Sequence, residues 1–194
     1  MKIVIIDYGA GNVKSVQFAL ERLGYSSVCS NDPQEIKMAD KVIFPGVGEA
    51  SSAMNELNRY GLDTLIPELT QPVLGICLGM QLMCRYSEEN NTTCLGIFPL
   101  DVLRFSDKEK VPHIGWNQIE GLKSKLFEGI DDRTFVYYVH SYYLPQNKFS
   151  IAETNYGDIY SGAIKKDNFY AYQFHPEKSG VYGERILDNF IKKI

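Results

Sequence analysis

Short apolar runs separated by turn residues divide the first half of the chain into alternating strands and helices. Lys2 to Ile6 predicts a buried strand, and Asp7-Tyr8-Gly9-Ala10-Gly11-Asn12 a turn after it. Asn12 is placed to cap a helix whose apolar stripe is Val13, Val16, Leu20 and Leu23, closed by Gly24. Tyr25 to Cys29 predicts a second strand. Asp32-Pro33-x-Glu35 opens a helix with a capping side chain, a proline at the first helical position and an acid in the first turn. Lys41 to Phe44 predicts a third strand that runs into Pro45-Gly46-Val47-Gly48, and a helix with Met54 and Leu57 inward follows. Val73 to Ile76 predicts a fourth strand, with a helix over Leu78 to Tyr86 directly after it. Alternation at this spacing predicts a parallel sheet covered on both faces.

The pattern changes after Tyr86. Glu88 to Thr93 is polar and reads as loop. Beyond it strands dominate: Asp101 to Phe105, Asn117 to Ile119, Thr134 to Val139, Ser150 to Thr154, Ser161 to Ile164 and Phe169 to Gln173. Lys166-Asp167-Asn168 predicts a hairpin turn. Tyr182 to Ile194 predicts a last amphipathic helix carrying Ile186, Leu187, Phe190 and Ile191. No repeat, low-complexity segment or linker interrupts the pattern. The expected fold is a single α/β domain with a central, mostly parallel sheet, helices on both faces and additional antiparallel strands in the C-terminal half.

A chain of 194 residues suits one such domain and is short for two. Its formal net charge of −4, with acids and bases interspersed, argues against nucleic acid or an anionic membrane surface as partner. Only Ile3 to Ile6 are apolar before Asp7, so neither a signal-peptide core nor a membrane span is expected. The four cysteines, Cys29, Cys77, Cys84 and Cys94, form no CxxC pair and no zinc-like spacing with histidine. Reduced thiols in a cytoplasm are therefore expected. Cys84, about two helical turns beyond Cys77, is expected in the core. The Gly9-x-Gly11 pair after a strand resembles a dinucleotide-binding turn, but the third glycine of that fingerprint is missing.

Cys77 differs from the other cysteines in context. A strand leads into it, a helix follows it, and Gly75 and Gly79 flank it. This is the layout of a nucleophile elbow with cysteine in the nucleophile's place. A thiol nucleophile needs a base and a group to orient that base. Three histidines are available. His113 and His140 read as structural strand-end residues. His175 sits in Phe174-His175-Pro176-Glu177, where the proline pushes it toward an extended conformation. Alternate residues of an extended segment point to one side, so Glu177 is expected to meet the imidazole and hold its tautomer. The plain alternatives are a buried core cysteine and a strand-end histidine beside a solvated glutamate.

Gly75-Ile76-Cys77-Leu78-Gly79-Met80-Gln81 together with Phe174-His175-Pro176-Glu177 resembles the class I (triad) glutamine amidotransferases over essentially the whole chain. Asp7-Tyr8-Gly9-x-Gly11-Asn12, Pro45-Gly46-Val47-Gly48 and Pro112-His113-x-Gly115-Trp116-Asn117 resemble one branch of that family, the glutaminase subunits of histidine biosynthesis. The resemblance implies a flavodoxin-like fold and a Cys77–His175–Glu177 triad. It implies an oxyanion hole from the backbone of Leu78 and Val47. It implies glutamine contacts from Gly48, Gln81, Glu89 and the backbone of Ser141 and Tyr142, with Glu88 a rival to Glu89. It also implies a separate (β/α)8-barrel cyclase subunit, joined as a heterodimer, that receives the ammonia, with Asn12, Trp116, Tyr137 and Lys178 near the interface. For Trp116 and Tyr137 the ordinary alternative is core packing, and for Lys178 solvation. No metal or organic cofactor is implied. Two other readings stay open: a paralogous amidotransferase serving another synthase, such as one acting on a surface sugar, and a flavodoxin-like protein using Cys77 as a redox sensor.

Overall fold

The computed structural model describes residues 1–9, 12–106 and 108–194; Ala10 and Gly11 of the first turn lie outside them. The first half runs β1 (Ile3–Ile6), α1 (Val13–Arg22), β2 (Ser27–Ser30), α2 (Pro33–Lys37), β3 (Lys41–Gly46), α3 (Ala50–Arg59), α4 (Leu62–Leu65), β4 (Val73–Cys77) and α5 (Leu78–Leu82). The second half runs β5 (Cys84–Ser87), β6 (Thr92–Thr93), β7 (Phe98–Arg104), β8 (His113–Ile119), β9 (Thr134–His140), β10 (Tyr142–Tyr143), β11 (Ser150–Tyr156), β12 (Asp158–Lys166), β13 (Phe169–Tyr172) and α6 (Gly180–Lys193).

A seven-stranded sheet in the order β11-β12-β13-β4-β3-β1-β2 forms the centre. Strands β2, β1, β3, β4 and β13 are parallel; β12 pairs antiparallel with β13, and β11 pairs antiparallel with β12. The two faces follow from alternation along β1. Ile3 and Ile5 pack with Val16 and Leu20 of α1 and with Ile186, Leu187 and Phe190 of α6. Val4 and Ile6 pack on the other side with Met54 and Leu57 of α3 and Leu62 of α4. Two smaller sheets lie beside this core: β10-β7-β5-β6, and the antiparallel pair β8-β9. Among the described residues no helix is long and apolar enough to cross a membrane.

The structure corrects several expectations. The helix after Cys77 ends at Leu82, and Cys84–Ser87 is a strand paired with β6 and β7. The run Leu78 to Leu82 is buried on every side, so its apolar character marks enclosure and not an amphipathic stripe. Cys84 is buried as expected, but in a strand. Asn12 occupies the cap position of α1, yet its side chain accepts from the Ser15 hydroxyl (2.6 Å) and caps no backbone N–H. The Glu88 to Thr93 segment holds a short 3-10 turn and the strand β6. The strands β7, β8 and β12 begin earlier than the sequence indicates, and β10 is an addition to it. The hairpin at Asp167 forms as expected, with φ 52 at that residue.

Two buried histidines tie β8 to β9. His140 Nδ1 lies 2.8 Å from the Tyr142 carbonyl oxygen, so it carries the proton and leaves Nε2 to accept. His113 Nδ1 is 3.3 Å from that Nε2. The His113 ring stacks between Tyr138 and Tyr156, at centroid distances of 5.0 and 3.9 Å. Burial pushes the pKa of His113 down to about 4. Burial likewise lowers His140 to about 3, with the Tyr142 carbonyl opposing and the neighbouring histidines assisting.

Both rings thus stay neutral in the folded chain at pH values where the unfolded chain protonates them. Their contribution to stability is full above pH about 6.5 and is lost as pH falls toward 4, roughly 2 kcal/mol per ring between pH 7 and 5. Urea unfolding across that range should show the loss, and His113→Gln/His140→Gln should flatten it; an equal slope in the variant would contradict the assignment. At Gly79 a Cβ would stand 1.9 Å from the Phe44 carbonyl oxygen, a contact with backbone that no rotamer change relieves. Gly79→Ala is therefore expected to lower the unfolding free energy by about 2–3 kcal/mol. A thermal midpoint equal to wild type would refute the close packing.

Candidate active site

The parallel strands β3 and β4 end side by side, with Gly46 in register with Cys77. Cys77 has φ 54 and ψ −109, a conformation that L residues rarely adopt and that concentrates at functional sites. The flanking glycines make the turn possible. A Cβ on Gly75 would lie 3.0 Å from the Met80 nitrogen, so both Gly75 and Gly79 permit backbone to approach backbone. The turn aims the Cys77 sulfur into a cavity of about 440 Å³ that it shares with His175.

His175 follows β13 with φ −98 and ψ 96, extended as the sequence indicates. The next residues do not continue that way. Pro176–Lys178 is a 3-10 turn, so Glu177 reaches the ring by curling back and not by sharing a strand face. The contact is the expected one: His175 Nδ1 lies 2.8 Å from Glu177 Oε1, both side chains buried. The turn is pinned by Ser179, whose hydroxyl donates to the His175 carbonyl (2.7 Å) and accepts from the Tyr137 N–H (2.9 Å). Among the described residues, the buried His175 Nε2 has no hydrogen-bond partner. Burial by itself lowers the pKa of this ring. The adjoining Cys77 sulfur and the Glu177 carboxylate more than reverse that, raising it to about 10. The imidazole is built to hold a proton between a sulfur and a carboxylate.

The other residues singled out in the sequence divide into three groups. Val47, Gly48, Leu78, Gln81, Glu89, Ser141 and Tyr142 line the cavity with Cys77 and His175. Gln81 Nε2 donates to the Tyr142 carbonyl at 2.9 Å. Glu89 Oε2 accepts from the Ala50 N–H (2.7 Å) at the start of α3, and burial, opposed by that bond and assisted by Glu49, raises its pKa. Glu88 is turned away: it accepts from the Arg104 N–H (2.7 Å) and does not line the cavity. In the Gly46-Val47-Gly48 loop, Gly46 is tightly packed, because a Cβ there would meet the Tyr8 hydroxyl at 2.8 Å and the Gly79 nitrogen at 2.9 Å. Gly48, at φ 100, has open space. Freedom to reorient a peptide thus lies on the Gly48 side.

The second group is Trp116, Tyr137 and Lys178. Trp116 is 55% exposed, contrary to its usual place in a core, and meets Tyr137 edge to face at 5.9 Å. The Lys178 ammonium lies 5.8 Å from the Tyr137 ring centre, at the cavity rim. The third is Asn12, which stands at the start of α1 and does not line the cavity. Sequence reasoning read His140 as structural only and did not single out Gln173. His140 lines the cavity while serving the β8–β9 pair. Gln173, fully buried, lies 3.8 Å from the Cys77 sulfur. Its signal was available, since it precedes His175 by two residues in an extended segment.

The family model for class-I glutamine amidotransferases matches residues 4–194. The imidazole glycerol phosphate synthase subunit HisH of Bacteroides fragilis strain YCH46 is 59% identical over 195 residues, covering 99% of this chain and 100% of that one. HisH of Escherichia coli K12 is 47% identical, with the same coverage. A crystal structure of a glutamine amidotransferase superposes with a TM-score of 0.77 at 17% identity, covering 98% of this chain and 97% of that one, and so shares the fold. The chain belongs to the class-I glutamine amidotransferase family, in the branch of imidazole glycerol phosphate synthase subunits named HisH.

Proposed function

We propose that the chain hydrolyses L-glutamine to glutamate and ammonia, and that it is the glutaminase subunit of an imidazole glycerol phosphate synthase. One observation carries the reading. The Cys77 sulfur, at a strained elbow, shares a cavity with an imidazole that a buried carboxylate orients.

Cys77 Sγ gives its proton to His175 Nε2 and adds to the side-chain amide carbon of glutamine, and the carbonyl π electrons move onto oxygen. The Leu78 N–H and a peptide N–H at Val47 receive that oxyanion. His175, with Glu177 fixing its tautomer, gives its Nε2 proton to the amide nitrogen, and ammonia leaves as the C–N bond breaks. The γ-glutamyl thioester remains on Cys77. Water then loses a proton to His175 Nε2 and attacks the thioester, and breaking the C–S bond releases glutamate. Gly48, Gln81 and the backbone of Ser141 and Tyr142 hold the substrate. Glu89 takes its α-ammonium in preference to Glu88, because the Glu89 carboxylate lines the cavity.

Ammonia lost to water becomes ammonium, which is not nucleophilic. The proposal therefore includes a partner, a (β/α)8-barrel cyclase in a cytoplasmic heterodimer, that joins ammonia to a ribulosyl-formimino ribotide. Its products are imidazole glycerol phosphate and an aminoimidazole carboxamide ribotide. The exposed Trp116 with Tyr137 and Lys178 at the cavity rim suits a docking surface. Asn12 is included on family resemblance alone.

Cys77→Ala should abolish glutamine-dependent product formation by the reconstituted synthase while leaving turnover with added ammonium salt at raised pH. Loss of both activities would mean that Cys77 also serves the partner's chemistry, against this reading. The chain alone should release glutamate slowly, because a peptide of the Gly46-Val47-Gly48 loop rests with its carbonyl toward the site. Adding the cyclase and its nucleotide ligand should raise kcat on the order of 10²–10³, the worth of one oxyanion donor. Full-rate turnover by the isolated chain would rule out this switch.

A further inference from the structure

We propose that Gln173 is a direct hydrogen-bond donor to the Cys77 sulfur, held in that orientation by a relay that starts at the Tyr142 carbonyl. The proposal rests on the assignment of Cys77 as nucleophile. The polarity of the relay follows from its one unambiguous member. A backbone carbonyl only accepts. Gln81 lies 2.9 Å from the Tyr142 oxygen, so the Gln81 atom facing it is Nε2 and not the amide oxygen. The same Nε2 is 3.0 Å from the Gln173 amide, whose facing atom must then be Oε1. That leaves Gln173 Nε2 to face the sulfur, at 3.8 Å. His140 Nδ1–H, at 2.8 Å, donates to the same Tyr142 oxygen.

The arrangement suits a thiolate. In the thiol form the sulfur can donate to the Val139 carbonyl, also at 3.8 Å. Once the proton is lost, that carbonyl offers the sulfur nothing, and the Gln173 N–H becomes a charge-assisted bond to it. Gln173 is fully buried, so water does not substitute for its amide. Its backbone N–H donates to Gly162 at 2.9 Å, which anchors it independently of the sulfur. Because Gln81 contacts both Gln173 and the strand that would hold substrate, the nucleophile and the substrate cradle share one set of hydrogen bonds.

The groups that can influence ionisation of Cys77 come from several elements. His175, with Glu177 behind it, and Lys178 lie on the turn after β13, and Glu89 also lines the cavity. His140 from β9 is neutral, its pKa lowered by burial. Tyr8 and Tyr160 keep their protons, because burial raises both, with the charge of Cys77 adding to it. Substitution at Gln173 alters none of these groups, so a change in thiol reactivity would belong to the missing donor.

The test compares Gln173→Met and Gln173→Leu with the full wild-type chain. Both lack the N–H and differ in shape. Iodoacetamide alkylation of the Cys77 peptide is followed by mass spectrometry as a function of pH, and folding is checked by circular dichroism. The alkylation profile of both variants should move to higher pH by about one unit, the loss of roughly one hydrogen bond to a charged group. With the cyclase present, kcat should fall about tenfold while KM for glutamine moves less, since Gln81 keeps its Tyr142 acceptor. An unchanged profile, or a shift in one variant only, would overturn the proposal and leave Gln173 a packing residue. If one variant fails to fold, the other carries the comparison. Glutamine should protect wild-type Cys77 from alkylation; lack of protection would instead overturn the nucleophile assignment, and the donor role of Gln173 with it.

Discussion

Where α5 crosses the end of β3, no side chain separates the two backbones: a Cβ on Gly79 would stand 1.9 Å from the Phe44 carbonyl oxygen. This contact decides what the site can be. It sets α5 against the strand ends and forces the chain to reverse within one residue, Cys77, whose φ of 54 is otherwise unfavourable. The register of Gly46 with Cys77 then places the candidate oxyanion loop beside the sulfur. Each consequence follows from the absence of a methyl group. The strain at Cys77 is sustained by the buried packing of Leu78 to Leu82 on all sides.

The histidines show how environment assigns roles to one side chain. All three are nearly inaccessible to solvent. His113 and His140 lie among aromatic rings and carbonyls, and burial drives them neutral. His175 has the same burial but gains a carboxylate on one nitrogen and a sulfur near the other, and it is driven toward the charged form. A neutral His140 can orient a carbonyl, as it does at Tyr142. A ring that binds its proton tightly in the presence of a thiolate is suited to move that proton during acyl transfer. The fold places the two kinds within one cavity.

Much of this was legible in the sequence, and the parts that were not have physical causes. The elbow could be read because strand, Gly-x-Cys-x-Gly and helix are adjacent in the chain. The pairing of His175 with Glu177 was also legible, although the 3-10 turn that achieves it was not. Periodicity overextended the helix after Cys77, because a run buried on every side shows no stripe, and the alternation of Cys84 to Ser87 was too short to stand out. The choice between Glu88 and Glu89 needed the fold: one faces the Arg104 N–H and the other the start of α3. Trp116, placed near the interface by resemblance with core packing as the ordinary alternative, is exposed because β8-β9 is a two-stranded sheet with one face uncovered. Gln173 escaped because its partners, Gln81 and Cys77, are 92 and 96 residues away.

The central claim is that the elbow sulfur, and no other thiol, attacks the glutamine amide. It is tested most directly by treating the full chain, together with the cyclase subunit, with a diazo-ketone analogue of glutamine and mapping the adduct by peptide mass spectrometry. The account predicts one adduct, on Cys77, whose formation excess glutamine prevents. An adduct on Cys29, Cys84 or Cys94, or modification of Cys77 that glutamine does not slow, would contradict it.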